Sequence, residues 1–351
     1  MSVLPFDHPW LSGLLGDDEV AELFQPIAEL RQMLAFERAL AGAQAAEALI
    51  PSEAAEYIAR RLEDFSPDDE ALARGASRDG VVVPELIRQL RAFLGERGEF
   101  LHRGATSQDV IDTALVLRLR PAIGILSQRL ASLHAALTRL SQSQGRRRLM
   151  GRTRMQDARP IAVADKLASW ILPLERHKKR LHELRPRLLA LQFGGAVGIR
   201  DGLAGKGDAI AQRMAETLDL ELPSGSWHTQ RDNLAEFAGW LALVSGSLGK
   251  IGADIGLMAQ MGDIRLEGGG SSSAMPGKQN PIGAEVLVTL ARFNATLVGG
   301  MHQAMVAEQE RSGAAWSLEW LILPQMLVAT AGGLRRANLL AADIIEIGTD
   351  G

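Results

Sequence analysis

The sequence predicts an all-α protein, and three observations carry that expectation. Alanine and leucine dominate a 351-residue chain with a single tyrosine and few β-branched runs, a composition that leans helical. Apolar residues recur at helical spacing over stretches too long for strands. Glycine, serine, proline and asparagine are concentrated in a few short connecting segments instead of punctuating the chain every ten residues.

The elements follow in order. Pro26 suits the first position of a helix running to about Leu49, where Ile50-Pro51 stops it. A second long helix begins near Ser107 and runs towards Gln142, with Val110, Ala114, Leu117, Leu126, Leu130, Leu133, Leu137 and Leu140 on one stripe and a kink expected at Pro121. Residues 159–191 give a third, again with an internal proline at Pro173. Between 234 and 258, Leu234, Phe237, Leu241, Val244, Leu248, Ile251, Ile255 and Met258 keep the helical period, while Gly239, Gly246, Gly249, Gly252 and Gly256 interrupt it. Each of those glycines costs about 1 kcal/mol relative to alanine, so close helix–helix approach is expected to compensate. Residues 282–310 form a last run, apolar nearly all round, which implies burial in a bundle. Segments 97–107, 145–159, 193–207, 222–233 and 268–281 read as loops.

Composition excludes several function classes. A net charge of −4 gives no basic footprint for nucleic acid or an anionic membrane. The absence of cysteine removes disulfides, thiolate metal sites and a cysteine nucleophile, and permits a cytoplasmic location. The N-terminus lacks the basic start and apolar run of a signal peptide. Lys250 and Asp254 make residues 239–261 a poor membrane span. The seven histidines show no metal-ligand spacing, and neither a P-loop nor a dinucleotide fingerprint occurs, so no metal and no cofactor are expected.

The sharpest motif is Gly268-Gly-Gly-Ser-Ser-Ser-Ala-Met-Pro-Gly-Lys-Gln-Asn280-Pro, with Glu285 five residues on. Its glycines and serines make a loop rich in backbone donors. Lys278 and Asn280 add a cation and an amide ahead of a helix N-terminus, which favours anions. A Gly/Ser run alone would read as a linker. The Met-Pro-x-Lys-x-Asn continuation points instead to an anion-handling loop that closes over a substrate.

This segment resembles the signature of the fumarase/aspartase superfamily, which holds fumarase, aspartase, argininosuccinate lyase, adenylosuccinate lyase and the 3-carboxymuconate cycloisomerases. Two further regions match in order: His102-Arg-Gly-Ala-Thr-Ser-Gln-Asp109 with Asp112-Thr113, and Gly151-Arg-Thr-Arg-Met-Gln-Asp-Ala-Arg-Pro160. The resemblance places Ser272 where the catalytic serine exchanges a proton with the substrate carbon. It gives Lys278, Asn280, Thr106, Ser107 and Gln156 to substrate carboxylates, although Thr-Ser-Gln-Asp ahead of an apolar run is equally a helix N-cap. His102 and His228 sit in motif loops and are candidate binding residues, as are Arg311 and Trp316. Trp316 and Trp320, four apart, read equally well as core aromatics on one helix face.

One departure narrows the reading. Fumarases and most of the lyases carry a histidine as general acid where this sequence has Arg154, and arginine stays protonated at any working pH. Closing a lactone needs no such acid, because the nucleophile is the substrate's own carboxylate. A fixed cation that orients it suffices. Segments 226–232 and 313–320 also look like those of the cycloisomerase branch, and Arg78-Asp79-Gly80 lacks the phosphate-handling histidine of adenylosuccinate lyases. Together with Arg103, Arg152 and Lys278, the motif arginines suit a tricarboxylate. The resemblance thus implies lactonisation of 3-carboxy-cis,cis-muconate to 4-carboxymuconolactone in aromatic acid breakdown. The rivals are a fumarate-releasing lyase of the same fold and a non-catalytic structural homologue. It further implies an N-terminal helical domain over 1–105, a long-helix bundle over 106–330 and a shortened C-terminal remnant over 331–351. It also implies a homotetramer whose active sites draw on several chains.

Overall fold

The computed structural model describes residues 4–271, 275 and 279–350. Two single-turn helices, α1 (Ser12–Leu15) and α2 (Asp18–Ala21), lead into α3 (Pro26–Ala46), which starts at its proline. Helices α4 (Ser52–Arg61), α5 (Asp69–Asp79) and α6 (Val83–Leu94) complete the N-terminal part. The long helices are α7 (Ser107–Gln144), α8 (Val163–Leu188), α10 (Asp232–Met261), α11 (Ile282–Gln303) and α12 (Gly313–Ala342), with the shorter α9 (Gly207–Leu218) between α8 and α10. The apolar stripe of α7, from Val110 through Leu137, is buried against α3, α8 and α12. Helix α12 runs unbroken through residue 331, so its C-terminal turns belong to the same bundle.

Two expectations are corrected. The loop expected over 145–159 and the helix expected from Arg159 are replaced by a hairpin of β1 (Arg148–Thr153) and β2 (Gln156–Ala162), and α8 starts only at Val163. Pro160 has no backbone N–H and disfavours helix at Arg159, so the chain stays extended until the Asp165 carboxylate accepts from Ala162 N–H at 3.0 Å. Helix α11 ends at Gln303 instead of about residue 310. The run after Val306 is polar, and Gln309 takes a left-handed φ of 53°, which no α-helix includes.

The glycines of α10 divide into two sets. A Cβ on Gly249 would stand 2.5 Å from Ala291 Cβ, and one on Gly252 would collide with the Ala284 carbonyl, so these two let α11 approach closely. Gly239, Gly246 and Gly256 have no neighbour within 4 Å of such a Cβ. The same helix exposes Leu243, Leu257 and Met261. Both α10 and α11 are long and apolar enough to cross a membrane, and only 28% of the apolar window of α11 is buried within the chain. The expected burial of α11 is therefore incomplete in one copy.

Three small ladders tie the far end of the bundle. Strand β3 (Ile264–Leu266) pairs with β6 (Ile344–Ile347), Arg148 bridges Thr349, and β4 (Gly270–Ser271) pairs with β5 (Gln279–Asn280).

Candidate active site

The first motif is built around the N-terminus of α7. Thr106 is the N-cap, with extended backbone, and Ser107 is the first helical residue. Asp109, in the first turn, is wholly buried and gathers five donors. Thr106 N–H (3.0 Å) and Gly195 N–H (2.9 Å) reach Oδ2; Gly194 N–H (2.8 Å), Gln192 Nε2 (3.0 Å) and His228 Nε2 (2.8 Å) reach Oδ1. The carboxylate is answered by donors at both oxygens, and it lies where the helix dipole favours an anion. It fixes three chain segments, the α7 cap, the 192–198 loop and the 226–228 loop, in one place. Arg311 then spans two of them, donating to Thr106 Oγ1 at 2.6 Å and to the Ala196 carbonyl at 2.7 Å.

One turn further along α7, Arg231 lies buried between two carboxylates. Its Nη1 donates to Asp112 at 2.6 Å and its Nε to Glu319 at 2.8 Å. Burial opposes the guanidinium charge, but the Asp112 and Glu319 charges outweigh it and raise the arginine pKa further. Burial also lifts the Glu319 carboxyl above its ordinary range, with Arg231 opposing. Trp316 is buried, donates from Nε1 to Asp112 at 3.0 Å and meets Trp320 edge-on. Trp316 is thus buried at the start of α7, while Trp320 beside it is exposed.

His102 lies just upstream with its Nδ1 2.6 Å from Glu37 on α3. Burial alone would lower its pKa, but the charge and hydrogen bond of Glu37 raise it above the ordinary histidine value.

The second and third motifs stand elsewhere. Arg154 and Met155 form the tip of the hairpin, both with positive φ (48° and 64°), the sign that tight hairpin turns require. Gln156 opens β2 beside them and is exposed. Arg152 is tethered to Asp157 at 2.8 Å and to Asp263, just past α10, which fixes the hairpin. A cavity of about 240 Å³ between the hairpin and α10 is lined by Arg152, Arg154, Lys166, Asp254 and Asp263. Asn280 sits on β5 at the stem of the glycine-rich loop. Ser272 and Lys278 lie outside the described residues.

One chain therefore brings together His102, Thr106, Ser107, His228, Arg311 and Trp316 around the start of α7, while Arg154 and Gln156 at the hairpin tip and Asn280 on β5 lie apart from them. These three lie past the end of α7, since β1 follows Gln144 directly and β3, which leads into the loop, pairs with β6 in the same ladder region. A 38-residue helix measures about 55 Å at 1.5 Å per residue, too far for one substrate to bridge. Sequence reasoning missed Asp109, Gln192 and Arg231 as organisers. Asp109 carried a signal, an acidic residue three past a threonine cap; the others became visible only in three dimensions. Among the described residues, no three His, Asp or Glu side chains cluster as a metal site.

Comparison with known proteins shows the family and the fold. The lyase family matches residues 19–295. A 3-carboxy-cis,cis-muconate cycloisomerase of Pseudomonas aeruginosa is 42% identical, over 90% of this chain and 71% of that protein. The crystal structure of the 3-carboxy-cis,cis-muconate lactonizing enzyme of Pseudomonas putida superposes with a TM-score of 0.91 at 38% identity, covering 97% of this chain and 77% of the other. A fumarate lyase from Mesorhizobium sp. BNC1 superposes at 0.88 with 34% identity, covering 95% and 76%.

Proposed function

We propose a reaction for this chain from the premise that it belongs to the lyase family of the fumarase/aspartase superfamily, in its cycloisomerase branch. The reaction is lactonisation of 3-carboxy-cis,cis-muconate to 4-carboxymuconolactone. The observation that carries it is Arg154, a permanent cation at the hairpin tip where an eliminating enzyme needs a proton donor.

The chemistry is economical. One substrate carboxylate oxygen forms a C–O bond to a carbon of the conjugated diene, and the displaced electron pair moves onto the neighbouring carbon. That carbon takes a proton, so the trianion becomes a dianionic lactone with uptake of one proton. Arg154 holds the attacking carboxylate in line, which substitutes orientation for acid catalysis. Ser272, on the glycine-rich loop, handles the proton on carbon. Thr106, Ser107, Gln156, Lys278 and Asn280 hold the remaining carboxylates, and His102, His228 and Arg311 shape the cationic side of the pocket.

Because the two groups of residues stand at opposite ends of α7, the working site is assembled from several copies of the chain. The open glycines of α10 and the exposed face of α11 support a homotetramer in which these helices pack against partner copies. An ultraviolet assay following loss of the conjugated diene, beside a Ser272→Ala control, tests the reaction. Rapid loss with lactone as product, abolished in the control, is expected. No loss from the assembled protein would redirect the search to fumarate-releasing substrates.

A further inference from the structure

Helix α3 devotes two buried polar side chains to one short segment of the first motif. Glu37 and Gln44, seven residues apart and therefore on one face, are both fully buried. Gln44 Nε2 donates to the Arg103 carbonyl at 2.6 Å, and Glu37 Oε1 meets His102 Nδ1 at 2.6 Å. From α6, Arg91 Nη2 donates to the Leu101 carbonyl at 3.0 Å. These three contacts clamp a segment whose central residue, His102, holds a left-handed φ of 60°, a conformation that a non-glycine residue adopts at a cost and keeps only where its surroundings over-determine it.

Glu37 is also an anomaly in its own right. Its second oxygen, Oε2, is buried with no partner among the described residues, so His102 is the one group that answers its charge directly. A carboxylate taken out of water with one partner is costly unless that partner is a cation. His102 keeps 13% side-chain exposure, and its other nitrogen, Nε2, has no hydrogen bond among the described residues. The charged groups acting on the ring are Glu37 from α3, Asp109 from α7 and Arg91 from α6, two acidic against one basic.

We infer that Glu37 is a positioning residue that holds His102 as an imidazolium, leaving its Nε2–H as a charged donor for a substrate carboxylate beside Thr106 and Ser107. The inference deepens the proposed lactonisation and rests on it for the identity of the carboxylate, but not for the charge state of the ring. An imidazolium aimed this way binds and orients without moving a proton. The strained backbone is then the means of directing the ring, with Gln44 and Arg91 holding the carbonyls on either side of it.

Histidine-selective NMR titration of the whole protein decides the charge state without substrate, with His102→Gln identifying the resonance. In the wild-type protein the His102 ring is expected to stay protonated above the ordinary value of about 6.5, and in Glu37→Gln its midpoint falls by about one pH unit or more. A wild-type His102 ring already neutral below that value overturns the inference, even if Glu37→Gln fails to fold. So does a titration unchanged by the substitution. With 3-carboxy-cis,cis-muconate, Glu37→Gln is expected to raise KM about tenfold, to leave kcat within a few-fold and to move the basic limb of kcat/KM to lower pH. An unchanged KM in a variant whose ring has lost its proton overturns the carboxylate contact. A wild-type protein inert toward that substrate, with the titration as expected, defeats the lactonisation reading and leaves the Glu37–His102 pair standing.

Discussion

His228 and Asp109, 119 residues apart, meet at 2.8 Å with neither side chain open to solvent. Four other donors converge on the same carboxylate, so Asp109 acts as the knot between the α7 cap and two loops. Asp109→Ala is expected to destabilise the fold by about 3 kcal/mol or more, since several buried donors lose their acceptor together. Asp109→Asn should rescue little, because its NH2 group would face donors. Urea unfolding midpoints of the two variants check this; an Asn variant of near-native stability would show that the charge is dispensable.

The Asp112–Arg231–Glu319 cluster makes a second prediction about pairing. Arg231→Met leaves two buried carboxylates without their shared cation and should cost about 3–5 kcal/mol. Removing a carboxylate as well, in Arg231→Met/Glu319→Leu, should cost less than the sum of the single changes. Additive losses in denaturant unfolding would mean that the arginine and glutamate act independently.

A pH effect follows from His177, which has no part in the proposed site. It is buried, with Nε2 2.8 Å from Ser247 Oγ. Burial, with Arg180 and Arg176 adding repulsion, lowers its pKa to about 4 from the ordinary 6.5. The unfolded chain therefore binds more protons between those two values, and the stability this histidine contributes is fully present above pH 6.5 and lost as pH falls towards 4. Melting temperatures at pH 7.5 and about 4.5 should differ less in His177→Gln than in the wild type. An equal difference in both would assign the acid sensitivity to other groups.

What the sequence discloses and what it conceals have a common physical cause. Helix α10 was legible because burial of one face imposes a 3.6-residue period on its apolar residues. The 148–162 hairpin was not, because its strands are largely exposed and carry no alternation. Their ladder is held by backbone pairing and by Arg152, none of which marks the residue pattern. The end of α11 was misjudged for a related reason: apolar composition continues to Val306, while the left-handed Gln309 depends on backbone conformation. In the site, Thr106 was readable as a cap from local order alone. Gln192 and His228 were separated from Asp109 by 83 and 119 residues, and a buried loop glutamine looks like any surface one until the fold closes.

Glycines of α10 separate contacts within a chain from those between chains. Gly252→Val should overpack the α10–α11 seam and cost about 1–3 kcal/mol in any assembly state. Gly246→Ala meets nothing within the chain and should stabilise an isolated helix by about 1 kcal/mol. If partner copies cover that face, the same change instead weakens association. Sedimentation velocity as a function of concentration distinguishes the two: dissociation of Gly246→Ala at concentrations where the wild type stays assembled is expected, and an unchanged assembly would put the contact elsewhere.

The separation of Thr106 from Arg154 by the length of α7 yields the most direct test of a shared site. Thr106→Val and Arg154→Ala each remove one contribution, and each variant alone is expected to lose most of its lactonising activity. On the proposed reading, the two groups cannot reach one substrate within a chain, so the site would take Thr106 from one copy and Arg154 from another. Mixing the two variants under conditions that exchange subunits should then restore activity to roughly a quarter of wild type, the chance that both contributions to a given site are intact in a random symmetric assembly. Restoration requires no new contact, only rearrangement of chains already folded. A site formed within one chain predicts no recovery at any mixing ratio, because every chain would still lack one of its two groups, so persistent inactivity after verified subunit exchange would defeat the shared-site arrangement while leaving the chemistry open.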